Sequence, residues 1–275
     1  MNQKILIGVI ATLVVVTGTV FALHHHKASA ASKESEETNV PVNQLLAEAT
    51  QYEQKGDRLK AKEVFDQIIS NYPDYDKIQE IQDKLGSLNV DLIFSQAEIP
   101  DKTVEYEIVP GDSVGKLARK FHTTAQLIKR ANGLKSDVIR TGEKLRLWTA
   151  PFNVLINKSQ NVLFLKSGDE VLKIYHVSTG KDNITPVGTF KIATKIEKPV
   201  WFRNGGSPIP SESPENELGS RWMGFDTDPH YGIHGTLHPE SIGQQVTAGC
   251  VRLANTDVEE LFDILPVGTQ VVIQN

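Results

Sequence analysis

The chain has 275 residues, with 29 lysines and arginines against 34 aspartates and glutamates, giving a formal net charge of -5. A mildly acidic chain without a stripe of cations argues against nucleic acid as a partner, because phosphate binding needs clustered lysine and arginine. The length allows roughly two or three domains, and a single cysteine rules out an internal disulfide.

Residues 5–23, from Ile5 to Leu23, are uncharged, with Lys4 before them and Lys27 after. Such a run is long enough to cross a bilayer as a helix. The alternative is a signal peptide with Ala28-Ser29-Ala30 as its cleavage site, but the run exceeds the usual apolar core of such signals. The expectation is an N-terminal transmembrane helix over 1–23, with the rest of the chain outside the cytoplasm. His24-His25-His26 reads as juxtamembrane polar residues, because three consecutive side chains cannot converge on one ion from regular structure. No metal and no other cofactor is expected. Residues 24–41 include Lys33-Glu34-Ser35-Glu36-Glu37-Thr38, which lacks apolar periodicity and reads as a solvated linker.

Residues 42–96 read as helical. Leu45, Leu46, Ala49 and Tyr52, then Leu59, Ala61, Val64, Phe65, Ile68 and Ile69, fall at helical spacing on either side of Gly56-Asp57. A third helix is expected from about Tyr75 to Leu88. Ala49, Tyr52, Gly56, Ala61, Phe65 and Pro73 resemble the small, aromatic and proline positions of one tetratricopeptide repeat. One repeat rarely buries a core alone, so the hairpin should be marginal, dimerised or packed on a neighbour. It would act either as a spacer from the membrane or as the dock of a protein partner.

Residues 104–149 follow a βααβ order. Glu105 to Val109 alternates like a strand, and Pro110-Gly111-Asp112-Ser113 punctuates and caps. Val114, Leu117, Ala118 and Phe121 mark a short helix, a second helix runs from Thr124 to Ala131, and Ile139 to Leu147 returns as turn and strand. Tyr106, the Pro110 to Ser113 turn, Ala131-Asn132 and Gly142-Glu143-Lys144-Leu145 resemble a LysM domain. The resemblance implies binding of peptidoglycan glycan strands by the loops near Gly111, Asp112 and Ser113 and near Leu134.

From 151 to 275 the pattern is strand after strand: Asn153 to Lys158, Asn161 to Lys166, Val171 to Ser178, Phe190 to Lys195 and Gln270 to Ile273. The one clear helix has Asn255-Thr256 as its cap and Val258, Leu261, Phe262 and Leu265 as its apolar face. A long loop rich in Gly, Pro, Ser and Asn lies between Trp201 and Arg221; a loop of that length in a compact domain is either mobile or functional.

The only cysteine, Cys250, lies in Thr247-Ala248-Gly249-Cys250-Val251-Arg252-Leu253, downstream of Tyr231-Gly232-Ile233-His234-Gly235-Thr236. A thiol attacks at neutral pH only when something lowers its pKa or takes its proton, and an imidazole is the commonest means. Glycines beside both groups let backbone N–H groups approach a developing oxyanion. With Ser178-Thr179-Gly180 and Thr185-Pro186-Val187-Gly188-Thr189-Phe190 upstream, these segments closely resemble the active-site signature of YkuD-type L,D-transpeptidases. Many members carry a histidine where this chain has Ala248.

The resemblance implies a multidomain bacterial envelope protein. Its parts are a mainly-β, sandwich-like catalytic domain, a βααβ LysM module, a short α-helical hairpin and the N-terminal transmembrane helix, anchored in the cytoplasmic membrane. Cys250 would be the nucleophile and His234 the base, oriented by the carbonyl of Gly235. Backbone N–H groups around Gly249 and Cys250 would form the oxyanion hole. Arg252, Tyr231, Trp222, Gly249 and Thr247 would face the substrate, and Trp201 would wall a channel under the long loop. The implied reaction is transpeptidation of peptidoglycan stem peptides at their third residue. The alternatives are L,D-carboxypeptidase activity or a catalytically silent glycan-binding scaffold. A papain-type protease is disfavoured, since that family's sequence around the cysteine and its downstream asparagine are missing.

Overall fold

A computed structural model describes residues 31–203 and 206–275. The expected membrane helix and His24 to His26 lie outside those residues. Among the described residues no helix is long and apolar enough to cross a membrane.

The chain opens with helices α1 (Ala31–Gln54), α2 (Arg58–Asn71) and α3 (Ile78–Ile93). Gly56 turns the chain between the first two at φ +73°, and the Asp57 carboxylate caps α2 by accepting the Lys60 N–H at 3.3 Å. Helix α1 takes in residues 33–38, which were expected as linker, and holds Pro41 inside it. Ala, Lys and Glu are good helix formers, so a charged stretch can extend a helix whose later turns are anchored by burial. The anchor is a small core in which Ala49, Ala61, Phe65 and Ile68 meet Ile81, Leu85 and Leu88.

The next unit pairs β1 (Thr103–Glu107) antiparallel with β2 (Lys144–Trp148), with α4 (Val114–Lys120) and α5 (Ala125–Ala131) between them. Ser113 caps α4 by accepting the Lys116 N–H at 3.3 Å, and Thr124 caps α5 by accepting the Leu127 N–H at 2.9 Å. Ile108, Val114, Leu117, Ile128, Leu145 and Leu147 fill the space inside.

The remaining elements are β3 (Phe152–Asn157), β4 (Val162–Ser167), β5 (Glu170–His176), β6 (Thr179–Gly180), β7 (Gly188–Glu197), β8 (Arg221–Phe225), β9 (Gly232–His234), β10 (Gln245–Thr247), β11 (Val251–Arg252), α6 (Asn255–Ile264) and β12 (Gln270–Gln274). They form an eight-stranded sheet in the order β11-β9-β8-β7-β12-β3-β4-β5, with β6 and β10 as a small parallel pair beside it. The domain is mainly β, and its sheet is continuous. Strand β7 serves both halves, pairing with β12 through Gly188 to Lys191 and with β8 through Ile192 to Glu197, with an irregular register between Ile192 and Thr194. An irregularity of this kind sharpens local twist, and the sheet curls around α6, whose Val258, Leu261 and Phe262 enter the core.

Of the three outcomes open to the helical hairpin, packing on a neighbour is the one observed. Asn89 of α3 donates its side-chain N–H to the Leu172 carbonyl on β5 at 2.8 Å, and Lys62 and Lys102 both pair with Glu170. Arg130 of α5 pairs with Asp263 at 2.8 Å, and Thr124 donates to the Asp263 carbonyl. Ile93, Leu127, Ala131 and Trp148 join the same core as the large sheet. Helix α3 therefore runs on to Ile93 rather than stopping near Leu88, because its last turn is buried and its free carbonyls are taken up from another unit. The guanidinium of Arg146 on β2, only 6% exposed, donates to the carbonyls of Ile93 at 2.5 Å, Ala97 at 3.1 Å and Leu92 at 3.2 Å. Burial lowers its pKa to about 10, still far above neutrality, so the charge stays in place. Arg146→Leu keeps most of the volume but orphans the carbonyls of Ile93 and Ala97, while that of Leu92 keeps the Ser95 hydroxyl at 3.0 Å; the expected loss is about 2–4 kcal/mol, read as a lower urea midpoint. An unchanged midpoint would mean that Arg146 does not pin the units together.

Candidate active site

Strands β9 and β11 are short and parallel, with Ile233 opposite Val251 and His234 opposite Arg252. On that register Cys250, one residue before β11, falls level with Gly232. Side chains alternate across a strand, so Cys250, Arg252 and His234 lie on one face. His234 is held on both sides: β8 pairs Trp222 with it, and the Leu253 N–H donates to its carbonyl at 2.9 Å. The Trp222 ring stacks on the imidazole, with centroids 6.0 Å apart and planes at 25°.

The imidazole is 4% exposed, and its Nδ1 lies 2.6 Å from the Gly235 carbonyl oxygen. A carbonyl can only accept, so Nδ1 carries the proton and Nε2 is left with its lone pair. Burial lowers the His234 pKa to about 4; the Gly235 carbonyl opposes this and the Arg252 charge adds to it. Burial raises the Cys250 thiol to about 11, opposed by the Gly232 N–H and by Arg252 and assisted by Asp228. The thiol donates to the His230 carbonyl at 3.4 Å. At neutral pH Cys250 is thus a thiol and His234 a neutral imidazole.

The loop before the cysteine is tightly built. Thr247 Oγ1 accepts the Gly249 N–H at 3.2 Å and donates to the Cys250 carbonyl at 2.7 Å. Gly249 has φ +122° and lies so close to Tyr231 that a Cβ would come within 2.5 Å of the ring. Beneath it, Gly180 donates to Thr185 Oγ1 at 2.7 Å, and buried Lys158 donates to the Asn183 and Thr185 carbonyls at 2.9 and 2.5 Å. The upstream Ser-Thr-Gly and Thr-Pro segments therefore form the floor of the cysteine loop. One detail departs from expectation: the Gly249 N–H is already engaged by Thr247, which weakens its case as an oxyanion donor.

Arg252 donates from Nη2 to Glu217 at 3.1 Å and from Nη1 to Ser241 Oγ at 3.3 Å, while its buried Nε has no partner. Glu217 belongs to the long loop, which is organised by the buried Asn216; its side-chain N–H group donates to the Pro199 and Pro210 carbonyls at 2.9 and 3.1 Å. Trp201 pairs with Ile209 across that loop, while Trp222 stacks on the His234 ring and Tyr231 lies against Gly249. Glu217 and Asn255 were missed from the sequence. Asn255 does not cap α6: Ala254 holds the cap position without a side-chain bond.

The four glycan-loop residues lie in the small β1–β2 unit. Gly111 turns at φ +90°, Asp112 accepts the Tyr106 hydroxyl at 2.9 Å and the Val109 N–H at 3.0 Å, Ser113 caps α4 and Leu134 packs on the local core. Among the described residues no group of three His, Cys, Asp or Glu side chains is arranged to hold a metal ion.

A thiol raised to about 11 holds little thiolate at neutrality, so iodoacetamide alkylation of Cys250 should quicken about tenfold per pH unit from 7 towards 10. A rate flat across that range would show a thiolate already formed.

Residues 151–273 match the L,D-transpeptidase catalytic domain, YkuD, and residues 106–148 match the LysM domain. YqjB of Bacillus subtilis, by name an L,D-transpeptidase, is 44% identical over 125 residues, 44% of this chain and 69% of that protein. YkuD of Bacillus licheniformis, likewise named, is 33% identical over 176 residues, 61% of this chain and 97% of that protein. Among solved structures, an L,D-transpeptidase from Mycobacterium smegmatis aligns with a TM-score of 0.38 and 23% identity, over 49% of this chain and 64% of that one. Two relatives above 30% identity, spanned over 69% and 97% of their lengths, make the chain a member of the YkuD-type L,D-transpeptidases, with a LysM domain ahead of the catalytic one.

Proposed function

We propose that the protein is a peptidoglycan L,D-transpeptidase of the bacterial envelope, acting through a thioester on Cys250. The observation that carries this reading is the shared face of Cys250, one residue before β11, and His234 on β9, with the imidazole proton fixed on Nδ1 by Gly235. Nε2 takes the thiol proton as sulfur attacks the carbonyl carbon of the third stem residue. The tetrahedral oxyanion is met by backbone N–H groups, with Cys250 its first candidate since Gly249 is engaged. The bond to the terminal D-alanine breaks, and the imidazolium returns its proton to the departing amine. An amine of a second stem then attacks the thioester, releasing the thiol and forming the cross-link.

Arg252 is the candidate for a stem carboxylate. Its Nη2 is occupied by Glu217, a carboxylate from the loop that stands where a substrate carboxylate would bind. Trp222, Tyr231 and Thr247 shape the surrounding wall. The LysM loops at Gly111, Asp112, Ser113 and Leu134 would hold glycan strands, and the tetratricopeptide-like hairpin acts as a buttress.

Muropeptide mass spectrometry after incubation with purified disaccharide-tetrapeptide tests the reading. A cross-linked dimer lacking one D-alanine is expected. Release of tripeptide alone would make the protein an L,D-carboxypeptidase, and no product would leave a silent scaffold. Cys250→Ala or His234→Ala should lower the rate by about a thousandfold or more; undiminished cross-linking by Cys250→Ala would defeat the mechanism. Arg252→Gln should raise KM about tenfold with a smaller effect on kcat, whereas equal losses in kcat and kcat/KM would make the arginine architectural.

A further inference from the structure

We propose that Asn255 is a positioning residue for the reaction, setting the tautomer of His234 through a single peptide group. This rests on the reading of His234 as the base. Asn255 Oδ1 accepts two backbone N–H groups, from Thr236 at 3.1 Å and from Ser220 at 3.1 Å. Two donors converging on one atom require the oxygen of the carboxamide there, so the orientation of the amide is determined.

The Thr236 N–H and the Gly235 carbonyl belong to the same peptide unit. In a planar trans peptide these two groups point in opposite directions, and the structure contains no cis peptide bond among the described residues. Holding the N–H with Asn255 therefore aims the carbonyl the other way, where it receives His234 Nδ1–H at 2.6 Å. Asn255, the peptide and the imidazole form one line of groups. A side-chain amide does through a peptide what an acidic or amide residue does by direct contact in other nucleophile-base sets.

Three further features show that the site is built around this oxygen. A Cβ at Gly235 or at Gly219 would collide with Asn255 Oδ1, so both neighbours are cleared to let backbone approach. Gly219 also sits at φ +63°, which favours glycine. The amide is not used to cap α6 although it stands at the start of that helix. The mount is firm: Val258 and Leu261 are buried, and Glu260 accepts from Tyr175 and from Lys173, both at 2.6 Å. Without the Oδ1 acceptor, the Gly235–Thr236 peptide is free to tilt, and the imidazole can exchange its proton to Nε2. That tautomer cannot receive a proton from sulfur.

The test uses the full chain with 15N-labelled histidine. The wild type should show His234 at neutral pH with its proton on Nδ1. Asn255→Leu, close in shape but without an acceptor, should shift the ring to a mixture of tautomers. It should also lower kcat about tenfold to a hundredfold while leaving KM within about twofold. Asn255→Asp retains the acceptor and should restore the Nδ1–H tautomer and most of kcat. Should Asn255→Leu fail to fold, Asn255→Ala makes the same comparison. The proposal is overturned if the acceptor-free variant keeps both the tautomer and kcat, or if the Asp and Leu variants are equally impaired. The ring readout needs no substrate. A wild type that makes no product from tetrapeptide would thus defeat the transpeptidase reading while the tautomer still decides this one.

Discussion

The pairing on which the site depends is very short: Ile233 with Val251 and His234 with Arg252, in parallel. Parallel neighbours cannot be joined by a tight turn, so the chain from Gly235 to Cys250 must leave the sheet and return. It does so through the β10 strand, which lies against β6. Because the register of two residues decides which side chains share a face, everything that steadies β9 and β11 is part of the chemistry. Strand β8 on one flank and the Ser178–Arg252 bridge on the other supply most of that steadiness.

The electrostatics follow from the same enclosure. Burial disfavours charge on both partners, holding the thiol up and the imidazole down; the positive charge of Arg252 adds to the second effect and only partly opposes the first. A neutral pair is chemically quiet towards small oxidants and alkylators until a carbonyl carbon is in position. Glu217 adds a second restraint, since it partly neutralises Arg252 in the absence of an incoming carboxylate.

How much was legible in the sequence depended on how local the cause was. Strands β3, β4 and β12 announce themselves by alternation, and the caps at Ser113 and Thr124 were readable because a cap acts within three residues. Strands β8, β9 and β11 were not readable as strands: they are short, glycine-bearing and held by their neighbours rather than by propensity. Cys250 and His234 stood out because glycines and small residues surround them, whereas Glu217 carries no local mark and finds Arg252 only through the fold. Asn255 misled for a physical reason: asparagine before an apolar helix is a good cap, and only the folded loops show that its oxygen goes elsewhere. The end of α3 was equally invisible, since the arginine that receives its carbonyls lies on β2.

The buried contacts of Arg146 and Asn89, with the surface pair of Arg130 and Asp263, join the helices, the small βααβ unit and the curled sheet directly. Flexibly joined modules search a volume, and the second contact costs the entropy of that search. Fused modules behave instead as a caliper. On the proposed function, once one jaw held a polysaccharide only pendant groups at one distance and one rotation along the strand could meet the other, and the spacing of the reaction along the wall would be set by how the domains are joined.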